Sequence, residues 1–135
     1  MGRYYHITGN NDTYHYEGKF GFASQPSTDP EFFGAMESGY IHYEVYDIEE
    51  VEEGLKLCRK KLKGYQRKID EYFKKYSGLL LNKGEDCDQP YLHEYLGVSK
   101  EKEDILMLYR HRYRLGKAIK KCLKTNDSCY IEAEI

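Results

Sequence analysis

Residues 47–76 read DIEEVEEGLKLCRKKLKGYQRKIDEYFKKY, and this stretch decides the fold. Its apolar positions are Ile48, Val51, Leu55, Cys58, Leu62, Tyr65, Ile69, Tyr72 and Tyr76. The steps alternate between three and four, which lays one apolar stripe along an α-helix. Asp47 stands where an N-cap belongs, and Glu50 three positions on completes a capping-box spacing. Ser77-Gly78 supplies the stop. The pattern predicts one helix over 48–76, roughly 43 Å long at ~1.5 Å per residue. A helix of that length outruns a small sheet, so the heptad pattern predicts at least a dimer.

Upstream, residues 1–47 read as β-structure. Tyr4 to Thr8 alternates, and Gly9-Asn10-Asn11-Asp12 is a turn cluster. Thr13 to Glu17 reads as a second strand and Lys19 to Ala23 as a third, with Gly18 marking a bulge or tight turn between them. Residues 24–39, with Pro26, Pro30, Gly34 and Gly39, read as a long loop. It holds one helical turn at Asp29 to Phe33, where Pro30 suits the first helical position. Tyr40 to Tyr46 is the clearest strand, with Ile41, Tyr43 and Val45 on one face.

Downstream, residues 82–90 read as a polar loop, followed by a short helix over Tyr91 to Leu96 closed by Gly97. Ser99 caps a second long helix, whose first turn carries Glu101, Glu103 and Asp104. Ser128 to Ile135 is a last strand, with Cys129, Ile131, Ala133 and Ile135 on one face. The order implies an α+β fold: an N-terminal antiparallel β-sheet, two long antiparallel helices packed on it, and a returning C-terminal strand. The 135 residues fit a single domain, with sheet over 1–47, helical hairpin over 48–124 and last strand over 128–135.

Composition narrows the class. Hydrophobic residues make up 40% and charged residues 33%, enough apolar surface for a core under a heavily charged exterior. No apolar run approaches the ~20 residues of a membrane span, and Met1 to Tyr5 has no apolar signal region. A cytoplasmic protein without membrane contact is expected. The fifteen tyrosines and no tryptophan suit half-buried surfaces and stacking platforms, or reflect nothing more than genomic composition.

Charge is unevenly placed. Residues 1–47 hold two basic and seven acidic side chains, against nineteen and sixteen over 48–135. No acid interrupts 56–68 or 110–124, and an antiparallel hairpin sets these runs side by side. Arg110, Arg114, Lys117 and Lys121 form one helical stripe. Arg112 and Gly116 fall nearer the apolar seam. There Arg112 either grips an anion with its planar fork or pairs with an internal carboxylate such as Glu44. A second candidate surface is Tyr16-Glu17-Gly18-Lys19-Phe20-Gly21-Phe22-Ala23, which could approach a planar ligand; it lacks the spacing of a phosphate-binding P-loop, and an ordinary bulged strand with core Phe is the favoured reading. The expected ligand contacts are Lys19, Phe20, Phe22, Tyr109, Arg110, Arg112, Tyr113 and Arg114.

No catalytic signature and no cofactor motif stands out. The cysteines Cys58, Cys87, Cys122 and Cys129 include no Cys-x-x-Cys pair, so reduced thiols and no metal are expected. His6, His15 and His42 sit in strand-like segments and read as solvent-facing or tyrosine-paired strand residues.

The layout resembles small phage-encoded anti-defence proteins. It is similar in architecture to the Thoeris anti-defence sponges, which bind cyclic nucleotide signals. The resemblance rests on chain size, YEGKFGFA at 16–23, RHRYR at 110–114 and CYIEAEI at 129–135. It implies a homo-oligomer that holds its ligand without turning it over, and no ligand residue is carried over from it. Two functions are therefore expected to compete. One is a binder that sequesters a phosphate-bearing nucleotide. The other is an inhibitor of the anti-CRISPR type, acting through the acidic Tyr-rich sheet. A pI near 6.2 speaks against general nucleic-acid binding.

Overall fold

A computed structural model describes residues 3–10, 15–20, 29–39, 42–80 and 90–134. Strand β1 (Arg3–Gly9) pairs antiparallel with β2 (His15–Phe20) on one side and with β5 (Cys129–Glu134) on the other. Strand β4 (His42–Val45) pairs with the far side of β5 and with β3 (Met36–Gly39). The five-stranded sheet has the order β2-β1-β5-β4-β3, so the returning strand is its centre.

Two sequence expectations change here. The strands expected on either side of Gly18 are one: β2 runs through Gly18, which lies opposite Tyr5 in an unbroken ladder. Positions 13–14 and 21–23 of that reading lie outside the described residues. In addition, Met36–Gly39, expected inside the loop, is an edge strand. All four of its residues are exposed, so backbone pairing holds it and no apolar alternation marks it.

The helices come next: α1 (Asp29–Phe32), α2 (Ile48–Leu62), α3 (Gln66–Leu80), α4 (Leu92–Leu96) and α5 (Lys100–Leu123). Asp47 caps α2, accepting from the amides of Glu49 and Glu50, and Ser99 caps α5 by accepting from Lys102. Gly97 closes α4 in the left-handed region at φ 70°. The expected polar loop over 82–90 lies outside the described residues, apart from Pro90.

The single helix over 48–76 does not form. Helix α2 ends at Leu62, and Gly64 adopts φ 87°, a conformation that only glycine enters without strain. Beyond it the chain doubles back. Lys61 lies over Tyr109 and Lys102 over Tyr65, whereas Phe73, further along α3, lies under Arg110. Helix α2 thus runs antiparallel to α5, and α3 returns alongside it.

Two apolar clusters result. In the first, Tyr5, Ile7, Tyr43, Val45 and Ile131 from the sheet meet Val51, Leu55, Cys58, Leu115, Ile119 and Cys122 from α2 and α5. In the second, Leu62, Ile69 and Tyr72 meet Leu92, Leu96 and Leu106. The distal part of the stripe is therefore covered within the chain. Tyr72 is 4% exposed, packs beside Tyr76 and Tyr95, and donates its hydroxyl to the Pro90 carbonyl at 2.7 Å. The length argument for a dimer loses its premise. Among the described residues no helix is long and apolar enough to cross a membrane.

One side chain joins the layers. Phe33 is fully buried, and its ring sits against Gly54 of α2 and Gly116 of α5. A Cβ at Gly116 would come within 2.5 Å of that ring. The space that Gly116 leaves on the seam is filled from within.

Candidate functional site

The three arginines of the 110–114 segment diverge, because alternate residues on a helix point to different sides. Arg112 reaches α1, where its Nε donates to Asp29 Oδ1 at 2.9 Å. Its guanidinium also lies over the rings of Phe32 (4.6 Å) and Tyr109 (5.5 Å). Asp29 is 1% exposed and accepts a second bond from the Tyr5 hydroxyl at 3.1 Å. Arg112 is thus half of an internal ion pair, with Asp29 in place of the expected Glu44. Arg110 is drawn to α3, 3.4 Å from Asp70 and stacked over Phe73. Arg114 is exposed. Between Arg110 and Arg114 in sequence, His111 is 5% exposed, and burial with those two cations lowers its pKa to about 4.

Of the other expected contacts, Tyr109 packs against one of these arginines, Arg112. Lys19 and Phe20 occupy the edge strand β2, opposite Tyr4 and Arg3. Phe22 lies outside the described residues. Tyr109 is half-buried against Phe32 and Arg112. Among the described residues, Tyr113, also half-buried, is the expected contact that lines the groove described next.

That groove, about 670 Å³, runs between α2 and α5. Leu55 and Tyr113 form its apolar floor, and Arg59, Lys117, Lys120, Lys121 and Lys124 line it. The α5 cations fall there because steps of three and four keep them on one side of the helix. Arg59 arrives from α2 because the hairpin is antiparallel. Lys120 is neutralised by Glu52 at 3.0 Å. Arg59, Lys117, Lys121 and Lys124 form no ion pair with any described carboxylate. Lys117 lies over the Tyr113 ring at 5.2 Å. Four cations left together repel one another, and solvent, salt or a bound anion offsets that cost. Lys120 and Lys121 also complement the negative end of the α5 dipole, which accounts for some of the enrichment but not for Arg59.

The open face of the sheet is a separate surface. His6 and His42 flank Glu132 across adjacent strands, and Tyr130 and Glu132 are exposed there. His15 and His42 are exposed and His6 half-buried, consistent with strand residues of that face. Among the described residues no group of three His, Cys, Asp or Glu side chains is placed to hold a metal ion. Cys58, Cys122 and Cys129 are buried free thiols, and Cys87 lies outside the described residues.

The groove cations were visible in the sequence as two acid-free runs, but not as a set. Sequence spacing placed Lys117 and Lys121 on a stripe. It did not show that Asp70 would draw Arg110 away from that stripe, or that Asp29 would be the partner of Arg112 on the seam. No protein-family model, curated protein or solved structure matches the chain. The class is defined by fold and site alone: an α+β chain with a cationic groove between two antiparallel helices.

Proposed function

We propose that the chain is a non-enzymatic binder of a phosphate-bearing nucleotide. In this reading it acts by holding a cyclic nucleotide signal out of solution in a host cytoplasm, as a viral counter-defence sponge. The observation that carries the reading is a groove beside Tyr113 lined by four cations that form no ion pair among the described residues. Arg59 offers a planar fork for phosphate oxygens, the lysines offer point charges, and Tyr113 offers a face for a base.

The test is titration calorimetry with a panel of cyclic mono- and dinucleotides, inorganic phosphate serving as control. Arg59→Ala combined with Lys117→Ala should weaken binding about 10- to 100-fold for each cation removed. The melting temperature should hold, because both side chains are exposed. Unchanged affinity in that variant overturns the reading. A second account then leads, in which the exposed Tyr130 and Glu132 present the sheet to a basic surface of a target protein.

A further inference from the structure

Helix α2 carries a second groove on its other flank, about 640 Å³ in volume. Its floor is apolar, formed by Phe32, Gly54 and Leu57, and its walls are Glu49, Glu50 and Glu53. Leu57 is 38% exposed, unusual for a leucine at the centre of a helix whose other leucines are buried. None of the three glutamates forms an ion pair among the described residues. The two grooves are thus similar in size and opposite in charge, and apart from Lys120 the charged walls of each form no ion pair among the described residues.

They cannot neutralise each other within one chain. Leu57 stands two positions from both Leu55 and Arg59, and two positions on a 3.6-residue turn face nearly opposite directions. Glu49, Glu53 and Leu57 form one stripe at steps of four, while Leu55 and Arg59 begin the other. A rigid helix lies between them. The acidic groove can meet a cationic groove of this kind only on another molecule.

We propose that the acidic flank of α2 in one copy docks into the α2–α5 cationic groove of the next, head to tail. Glu49 and Glu53 would face Lys117 and Lys121, and Leu57 would seat near Leu55 and Tyr113. Such an interface is heterologous, so it propagates into a ring or an open array rather than a two-fold dimer. This assembly does not rest on the nucleotide reading. It does share the groove with it, so an anion bound there competes with the docked copy by mass action.

The test is light scattering coupled to gel filtration at tens of micromolar. In ~50 mM salt the mass should be at least twice the 16.0 kDa of one chain. In 1 M salt, where screening acts within ~3 Å, it should fall toward one chain. Lys117→Glu with Lys121→Glu should give single chains, as should Glu49→Lys with Glu53→Lys. Mixing the two variants should restore a mass of two chains or more, because each supplies the groove that the other lacks. Should a reversed variant fail to fold, Lys117→Gln with Lys121→Gln and Glu49→Gln with Glu53→Gln are read the same way, with partial loss expected. A wild-type mass of one chain in low salt overturns the proposal. So does a folded reversed variant that keeps the wild-type mass, or a mixture that stays single. Calorimetry on the same proteins reads nucleotide binding separately, so the two readings fail independently.

Discussion

Arg112 and Asp29, 83 positions apart, meet at 2.9 Å with side chains 12% and 1% exposed, and so tie α5 to the entrance of α1. Removing one partner of a buried pair strands the other charge. Arg112→Ala should lower the unfolding free energy by about 3–5 kcal/mol in urea titration. Arg112→Met combined with Asp29→Asn should cost less than Arg112→Ala alone, since no bare carboxylate remains and Tyr5 keeps an acceptor. A change below about 1 kcal/mol for Arg112→Ala would place the arginine outside the fold's support.

Gly116 offers a test with a sign reversal. Alanine favours a helix interior over glycine by about 1 kcal/mol. Against that gain stands the Phe33 ring, 2.5 Å from the position a Cβ would take. Overpacking of this kind costs about 1–3 kcal/mol, so Gly116→Ala should destabilise. In a Phe33→Leu background the same change should become neutral or favourable. A double-mutant cycle that gives no coupling would separate the two positions.

His111 makes stability depend on pH. Its folded pKa is lowered to about 4 from the ordinary 6.5, first by burial and then by Arg114 and Arg110. Between those values the unfolded chain binds more protons than the folded one, so stability rises with pH. Acidification from pH 7 toward 4 should therefore remove stability, by up to ~1.4 kcal/mol per pH unit for this one group. Melting temperatures across that range should fall less steeply in His111→Gln than in the parent chain, each compared with its own value at pH 7. Parallel curves would assign the acid sensitivity elsewhere.

The thiols give a readout of the core. Burial pushes Cys58 up to about 12 and raises Cys129 and Cys122 as well. A thiol that stays protonated is a poor nucleophile. Cys58, Cys122 and Cys129 should resist an aromatic disulfide reagent in buffer and react in urea. Prompt labelling of Cys58 in buffer would show that α2 leaves the sheet readily.

Caps and periodicity were legible because they are local. Asp47 and Ser99 begin helices where their side chains can accept nearby amides, and Tyr43, Val45, Cys129 and Ile131 alternate inward as the sequence reads. The reversal at Gly64 was not legible, because Leu62 and Ile69 stand seven apart. That spacing keeps the apolar phase intact whether the helix continues or folds back. What turns the chain is the second cluster, where Leu92, Leu96 and Leu106 give α3 a place to pack. Met36–Gly39 was missed for the opposite reason, since only its backbone is used. At the site, the cations were countable in advance, but their availability depended on Asp29 and Asp70, each on a distant element.

The central position of β5 bears on the order in which the molecule is made. The β1–β2 ladder and the β3–β4 ladder touch no common strand other than residues 129–134. Two-stranded ribbons are at best marginal in water. During synthesis, at ~5–20 residues per second, both ribbons and helices α1 to α5 emerge before the strand that unites them. Ile7 and Tyr43 wait for Ile131, their partner across the ladder on either side. The sheet can close only after β5 has been made, so until then the nascent chain carries unjoined strand edges.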